Sequence, residues 1–159
     1  MTNSRLTHLN EQGAAAMVDI SDKAVTRRTA SACARITINQ EALTAIRENT
    51  LAKGEAVGTA RIAGILAAKK VPELIPLCHS LPLSAVSIEF EFEESGLLIT
   101  AFAAIDAKTG VEMEAITACT IAALTIYDMA KALDRSMTIS DIKLLHKEGG
   151  RSGKYTTKE

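Results

Sequence analysis

Residues 85–107 read AVSIEFEFEESGLLITAFAAIDA. Val86, Ile88, Phe90 and Phe92 alternate with Glu89, Glu91 and Glu93, the period of two that a strand with one buried face requires. Ser95-Gly96 supplies a turn and Leu97–Ala107 returns the chain, so the segment predicts an antiparallel hairpin. Downstream, the spacing predicts a long helix from about Glu112 to Asp134 and a last strand from Met137 to Lys147. Upstream, Ala32, Ala34, Ile36 and Ile38 alternate with polar or small residues in a strand over Ser31–Ile38. Asn39 can cap a short helix over Gln40–Asn49, and a second helix fits Glu55–Lys70, ended by Pro72. PELIPLCHSLP (72–82) carries all three prolines and cannot be a regular helix or central strand throughout.

The order strand, two helices, two strands, helix, strand predicts an α+β, ferredoxin-like fold: an antiparallel sheet with helices packed on one face. One domain is expected over residues 1–159, with 1–30 an extended N-terminal arm and 148–159 a flexible basic tail. A net charge of −1 gives no general attraction to nucleic acid or membrane, and aromatic content of 3% without Trp leaves little surface on which to stack bases. Cys33, Cys78 and Cys119 are odd in number and unpaired by spacing, so neither a disulfide framework nor a structural zinc site is expected. There is no charged leader before an apolar run, and the uncharged stretch Ala115–Tyr127 falls short of the roughly 20 residues a bilayer needs. The expected location is cytoplasmic.

On the long helix, Asp128 lies on the stripe Thr117, Ile121, Leu124, Asp128, and Lys131 follows at i+3. The pair reads either as a surface ion pair or as a partly desolvated acid/base couple. Glu112 and Glu114 at the helix start complement its dipole or line a site. Glu114 and Asp128 lie about 21 Å apart along a helix, too far to grip one small group, so a shared site needs a long ligand or a second subunit. Cys78-His79 has neither metal-ligand nor nucleophile-pair geometry. Lys53-Gly54 precedes a helix, where a lysine is a loop residue or a phosphate ligand. Lys147, Arg151 and Lys154 among Gly149, Gly150 and Gly153 form either a solvated basic tail or a phosphate wrap, and the spacing is not that of a P-loop.

The stretches LTHLN (6–10), MVDIS (17–21), KGE (53–55), ARIAGILAAKK (60–70), LIPLCHSLPLS (74–84), TGVEMEA (109–115), ALTIYDMAK (123–131) and GGRSG (149–153) together resemble the molybdenum-cofactor biosynthesis protein C family of cyclic pyranopterin monophosphate synthases. The resemblance implies a homohexamer built as a trimer of dimers, with sites at dimer interfaces. It implies conversion of 3′,8-cyclo-7,8-dihydro-GTP to cyclic pyranopterin monophosphate and pyrophosphate, a lyase reaction without a resident cofactor or protein-bound metal, Mg2+ at most accompanying the triphosphate. Carried over residue by residue, Asp128, Lys131 and Lys53 match the catalytic group. Leu77, Cys78, His79, Met113 and Glu114 match substrate contacts, and Glu112, Lys69, Arg28, Lys147 and Lys154 complete the implied substrate site. Ser80, Ala130 and Arg151 depart from the usual family residues, and none alters Asp128, Lys131 or Lys53. The competing class is a non-catalytic scaffold that binds the same nucleotide intermediate.

Overall fold

The hairpin forms as the alternation predicts: β2 (Ala85–Glu93) pairs antiparallel with β3 (Gly96–Ala107), from Ala85 opposite Ala104 to Glu93 opposite Gly96. The computed structural model describes residues 12–150 and 153–157. Its other strands are β1 (Thr26–Thr37), β4 (Thr138–Glu148) and the short β5 (Tyr155–Thr156). The helices are α1 (Gln40–Arg47), α2 (Ala56–Lys69), α3 (Val71–Leu74) and α4 (Glu112–Ala130). The sheet order is β2-β3-β1-β4-β5 with every neighbour antiparallel, so β1 sits between the hairpin and the last long strand, as in a split βαβ arrangement. The helices cover one face, which gives the expected α+β architecture.

Small side chains make the core thin. Ala30, Ala32, Ala34 and Ile36 on β1 and Leu97, Ile99, Ala101 and Ala103 on β3 are fully buried. Above them lie Ala115, Ala118, Cys119, Ala122, Ala123 and Ile126 of α4. Methyl groups facing methyl groups let helix and sheet approach closely, while larger buried side chains such as Ile36, Ile99 and Ile126 contribute about 1.5–3 kcal/mol each. α4 is long and apolar enough to cross a membrane by composition, but its alanine face is packed on this sheet. The exposed edge of β2 is covered in part by Arg61, whose Nε donates to Ile88 O at 3.1 Å while its guanidinium lies over Phe90.

Several boundaries differ from the expectation. β1 begins at Thr26, not Ser31, so residues 26–30 of the expected arm are sheet residues paired up to Ala107; their side chains alternate weakly because both faces are partly open there. The expected flexible tail contains β5, which pairs with His146 and Lys147 of β4 but is too short to show a period. α4 ends at Ala130 rather than Asp134. Lys131 caps it by donating its amide to Tyr127 O at 2.9 Å. Asp134 lies beyond the helix and, 5% exposed, ties its own turn to the start of α1: it accepts from Ser136 N, Ser136 Oγ and Asn39 N. Asn39 itself caps α1 through Ala42 N, as its position predicts. Pro72 does not simply end α2: it opens α3, where the missing N–H costs nothing.

α2 and α4 cross at Gly64. A Cβ there would meet the Ile88 side chain, Ala118 O at 2.7 Å and Ala122 Cβ at 3.3 Å. Gly64→Val is therefore expected to destabilise the fold by about 1–3 kcal/mol despite valine's better helix propensity. Urea unfolding would check this, and an unchanged midpoint would show that the crossing can yield.

Candidate functional site

The structure divides the expected site residues between the two ends of α4. At the C-terminal end, Asp128 is held by two lysines. Lys131 Nζ lies 2.7 Å from Oδ1, and Lys53 Nζ lies 2.7 Å from Oδ2 and 2.9 Å from the Asp128 backbone carbonyl. Lys53 reaches the helix from the loop before α2, whose N-terminus is capped by Glu55 accepting from Gly58 N at 2.6 Å. Together the Lys131 and Lys53 hydrogen bonds pull the Asp128 carboxyl down to about 2, so it stays ionised through the physiological range. The trio carries net positive charge. A hollow of about 350 Å³ beside it is lined by Lys53, Tyr127, Lys131, Ala132 and Arg135, and Tyr127 OH donates to Arg135 O at 3.2 Å.

Of the two readings of the Asp128–Lys131 pair, the exposed ion pair is the one this chain shows. The Asp128 side chain is 54% exposed, because the stripe Thr117, Ile121, Leu124, Asp128 is the outward face of α4 and the alanine face is the buried one. Leu124 on that stripe and Ile62 and Leu66 of α2 beside it are all more than half exposed.

At the N-terminal end two cavities adjoin. One, of about 450 Å³, is walled by Leu77, Cys78 and His79 of the proline-rich segment and by Glu112, Met113 and Glu114 of α4. The prolines hold that segment out of regular structure, so consecutive residues can line one wall. Glu114 is 3% exposed, and burial, helped by the neighbouring Glu112 charge, pushes its carboxyl up to about 7. Burial and the Glu114 charge also raise the Cys78 thiol, the opposite of what a nucleophilic cysteine needs. His79 Nε2 sits 2.9 Å from Val18 O; a carbonyl only accepts, so that nitrogen carries the hydrogen.

The second cavity, of about 750 Å³, is lined by Lys23, Arg28, Lys108, Lys147 and the backbone of Gly149 and Gly150, and shares Lys23, Thr109, Gly110 and Glu112 with the first. Lys147 Nζ pairs with Glu112 Oε1 at 2.8 Å. Gly150, with φ of +75°, lets the chain fold against the Arg28 guanidinium where any Cβ would collide. Arg28 Nε is buried without a hydrogen-bond partner among the described residues, at the cavity wall.

Two expected residues stay outside both walls. Because α2 runs antiparallel to α4, Lys69 in its last turn lies toward this end, but it is exposed and lines neither cavity. Lys154, exposed beside β5, lines neither. Of the GGRSG stretch, Arg151 and Ser152 are outside the described residues. Lys23, Lys108 and Arg135 belong to the cavities and were not expected from the sequence: each is a lone cation in a segment without period. Among the described residues no three His, Cys, Asp or Glu side chains converge as metal ligands.

Relatives bear on this geometry. The chain is 55% identical to a cyclic pyranopterin monophosphate synthase of Methylobacterium sp. (strain 4-46), over 94% of this chain and 95% of the relative. It is 56% identical to cyclic pyranopterin monophosphate synthase 3 of Mycobacterium tuberculosis (strain ATCC 25618 / H37Rv), covering 94% and 85%. The synthase of Parvibaculum lavamentivorans is 48% identical over 99% of this chain and its own full length. The MoaC family matches residues 17–150, which spans both cavities and the lysine–aspartate trio. With most of its length matched and identities near one half, the chain belongs to the MoaC family.

Proposed function

We propose that the chain is a cyclic pyranopterin monophosphate synthase, a cytoplasmic, pyrophosphate-releasing lyase of molybdenum-cofactor biosynthesis acting on 3′,8-cyclo-7,8-dihydro-GTP. The observation that carries this reading is the trio Lys53–Asp128–Lys131, with both carboxylate oxygens engaged at 2.7 Å. Rearranging the purine-derived ring requires proton transfers, and an ionised carboxylate flanked by two ammonium groups offers an acceptor and two donors within one reach. Held down to about 2, Asp128 is a weak base while exposed. Substrate or a second chain covering it would remove water and raise its basicity.

The cavities at the other end suit the phosphates. Lys23, Arg28 and Lys147 converge there, and among the described residues nothing accepts from Arg28 Nε. Closing the cyclic phosphate needs a sugar hydroxyl to attack the α-phosphorus: the new P–O bond forms, the bond to the β-phosphate oxygen breaks, and pyrophosphate leaves as the hydroxyl proton passes to a base. That step depends on positioning and charge neutralisation, which cations supply without a resident metal, magnesium travelling on the triphosphate.

The two ends lie about 21 Å apart on one rigid helix, and the uncovered apolar strip of Ile62, Leu66 and Leu124 runs between them. We read that strip as the contact between two copies. An antiparallel pairing sets the trio of one copy beside the cavities of the other, and further pairing yields the hexamer the family implies. The free Cys33, Cys78 and Cys119 suit a reducing compartment.

Asp128→Ala, Lys131→Ala or Lys53→Ala is expected to lower turnover at least about a hundredfold with the oligomer intact, read as pyrophosphate released from the cyclic dihydro-GTP intermediate. A variant with wild-type rates would remove that residue from the chemistry. A wild-type protein that bound the intermediate and released no pyrophosphate would instead be a scaffold. Mixing Asp128→Ala with His79→Ala chains should regenerate about a quarter of the wild-type sites if dimers exchange at random, whereas a site within one chain regenerates none.

Glu114 generates a pH prediction. Its folded value of about 7 lies above the ordinary 4.5, so folding takes up a proton, and the associated stability is present below 4.5 and lost as pH rises to about 7. Between pH 5 and 7 the wild type should lose up to about 1.4 kcal/mol per pH unit relative to Glu114→Gln in urea unfolding. Parallel curves for the two proteins would show Glu114 to titrate normally.

A further inference from the structure

Residues 17–24 form a strap across the mouth where the two cavities meet. Val18 and Ile20 are turned inward and half-buried, while Met17, Asp19 and Ser21 are exposed. Val18, Ile20 and Lys23 line the smaller cavity; Asp22, Lys23 and Ala24 line the larger. The strap has a turn of its own: Asp19 Oδ1 accepts from Ser21 N at 2.8 Å and Ser21 Oγ at 2.6 Å, and Lys23 N donates to Ile20 O at 3.1 Å.

Two side chains of the body reach its backbone. His79 meets Val18 O and already belongs to the cavity wall. Lys108, just beyond β3, places Nζ 2.6 Å from Ser21 O. An ammonium on a carbonyl is a charge-assisted bond, and it grips the strap one residue before Asp22 and two before Lys23. An irregular, mostly exposed segment opens locally at little cost, so such a grip sets how often the strap stays closed.

We propose that Lys108 is a positioning residue: its bond to Ser21 O holds the strap so that Lys23 faces the anionic part of a substrate in the cavity both walls share. Lys108 takes no part in bond making. It sets the fraction of molecules whose Lys23 is in place, and that fraction scales the apparent affinity for a polyphosphate. The inference rests on the synthase reading for its substrate, but not for the strap itself.

Lys108→Met keeps the side chain's length and removes the donor. With the cyclic dihydro-GTP intermediate its KM should rise about tenfold while kcat stays within twofold, and Lys108→Arg should restore KM. Without substrate, trypsin should nick the Lys23–Ala24 bond several-fold faster in Lys108→Met than in wild type, and Lys108→Arg should reverse this too. Asp19→Ala, which dissolves the turn presenting Ser21 O and lines neither cavity, should show the same pattern if Lys108→Met proves too unstable to assay. Unchanged KM with unchanged nicking would overturn the proposal. So would a fall in kcat at constant KM, which would place Lys108 at the reacting atoms. The nicking assay uses no substrate, so a protein inactive on this intermediate would sink the synthase reading and leave the strap to be judged by proteolysis.

Discussion

Helix α4 lies on a floor of alanines, and the rest of the molecule follows from that contact. Ala30, Ala32, Ala34, Ala101 and Ala103 below and Ala115, Ala118, Ala122 and Ala123 above leave no room for a larger side chain without lifting the helix. α2 is then drawn in against α4 at Gly64. A helix seated this closely cannot roll or slide, so what its two ends carry is held at a fixed separation. The price is a core poor in buried apolar volume, offset by the isoleucines at the strand ends and by the length of the β1–β3 pairing.

The ends of α4 are electrostatic opposites in use. At its start, a helix terminus that favours negative charge carries Glu112, paired with Lys147, and Glu114, buried and with its carboxyl pushed up to about 7. At its finish, where a cation is favoured, Lys131 caps the helix and Lys53 donates to the Asp128 carbonyl as well as to its carboxylate. Lys53 therefore answers two acceptors at once. That fixes the loop before α2 against the end of α4, and makes Asp128 as much a fastening of the fold as a proton acceptor.

Much of this was legible from residue patterns, and the failures have identifiable causes. The glutamate alternation of 85–93 placed the hairpin because one face of β2 is wet. Asn39 was readable as a cap because its bond is local. The Asp128–Lys131 contact is likewise local, three residues along one helix. The Lys53–Asp128 contact spans 75 residues, and no periodicity encodes it; only the family likeness pointed to it. Which face of α4 is buried is not legible because both faces are apolar: isoleucine and leucine outweigh alanine in hydropathy, yet the alanines are inside. Lys23, Lys108 and Arg135 went unseen because a lone lysine or arginine in an irregular segment looks the same whether it faces bulk water or a cavity.

The last two-residue strand has a consequence for the glycine-rich stretch before it. Because Tyr155 and Thr156 return to pair with Lys147 and His146, and Thr157 N donates to Leu145 O at 2.9 Å, the chain on both sides of the glycine-rich stretch is fastened to one strand. The entropy of bringing its two ends together is spent when the chain folds, not when a ligand arrives. Lys154, next to the anchored Tyr155, is thereby kept near β4, at an effective concentration on the order of millimolar or above for a ligand on that side. The anchor keeps Lys154 near, so an exposed cation that lines neither cavity can still be counted as local.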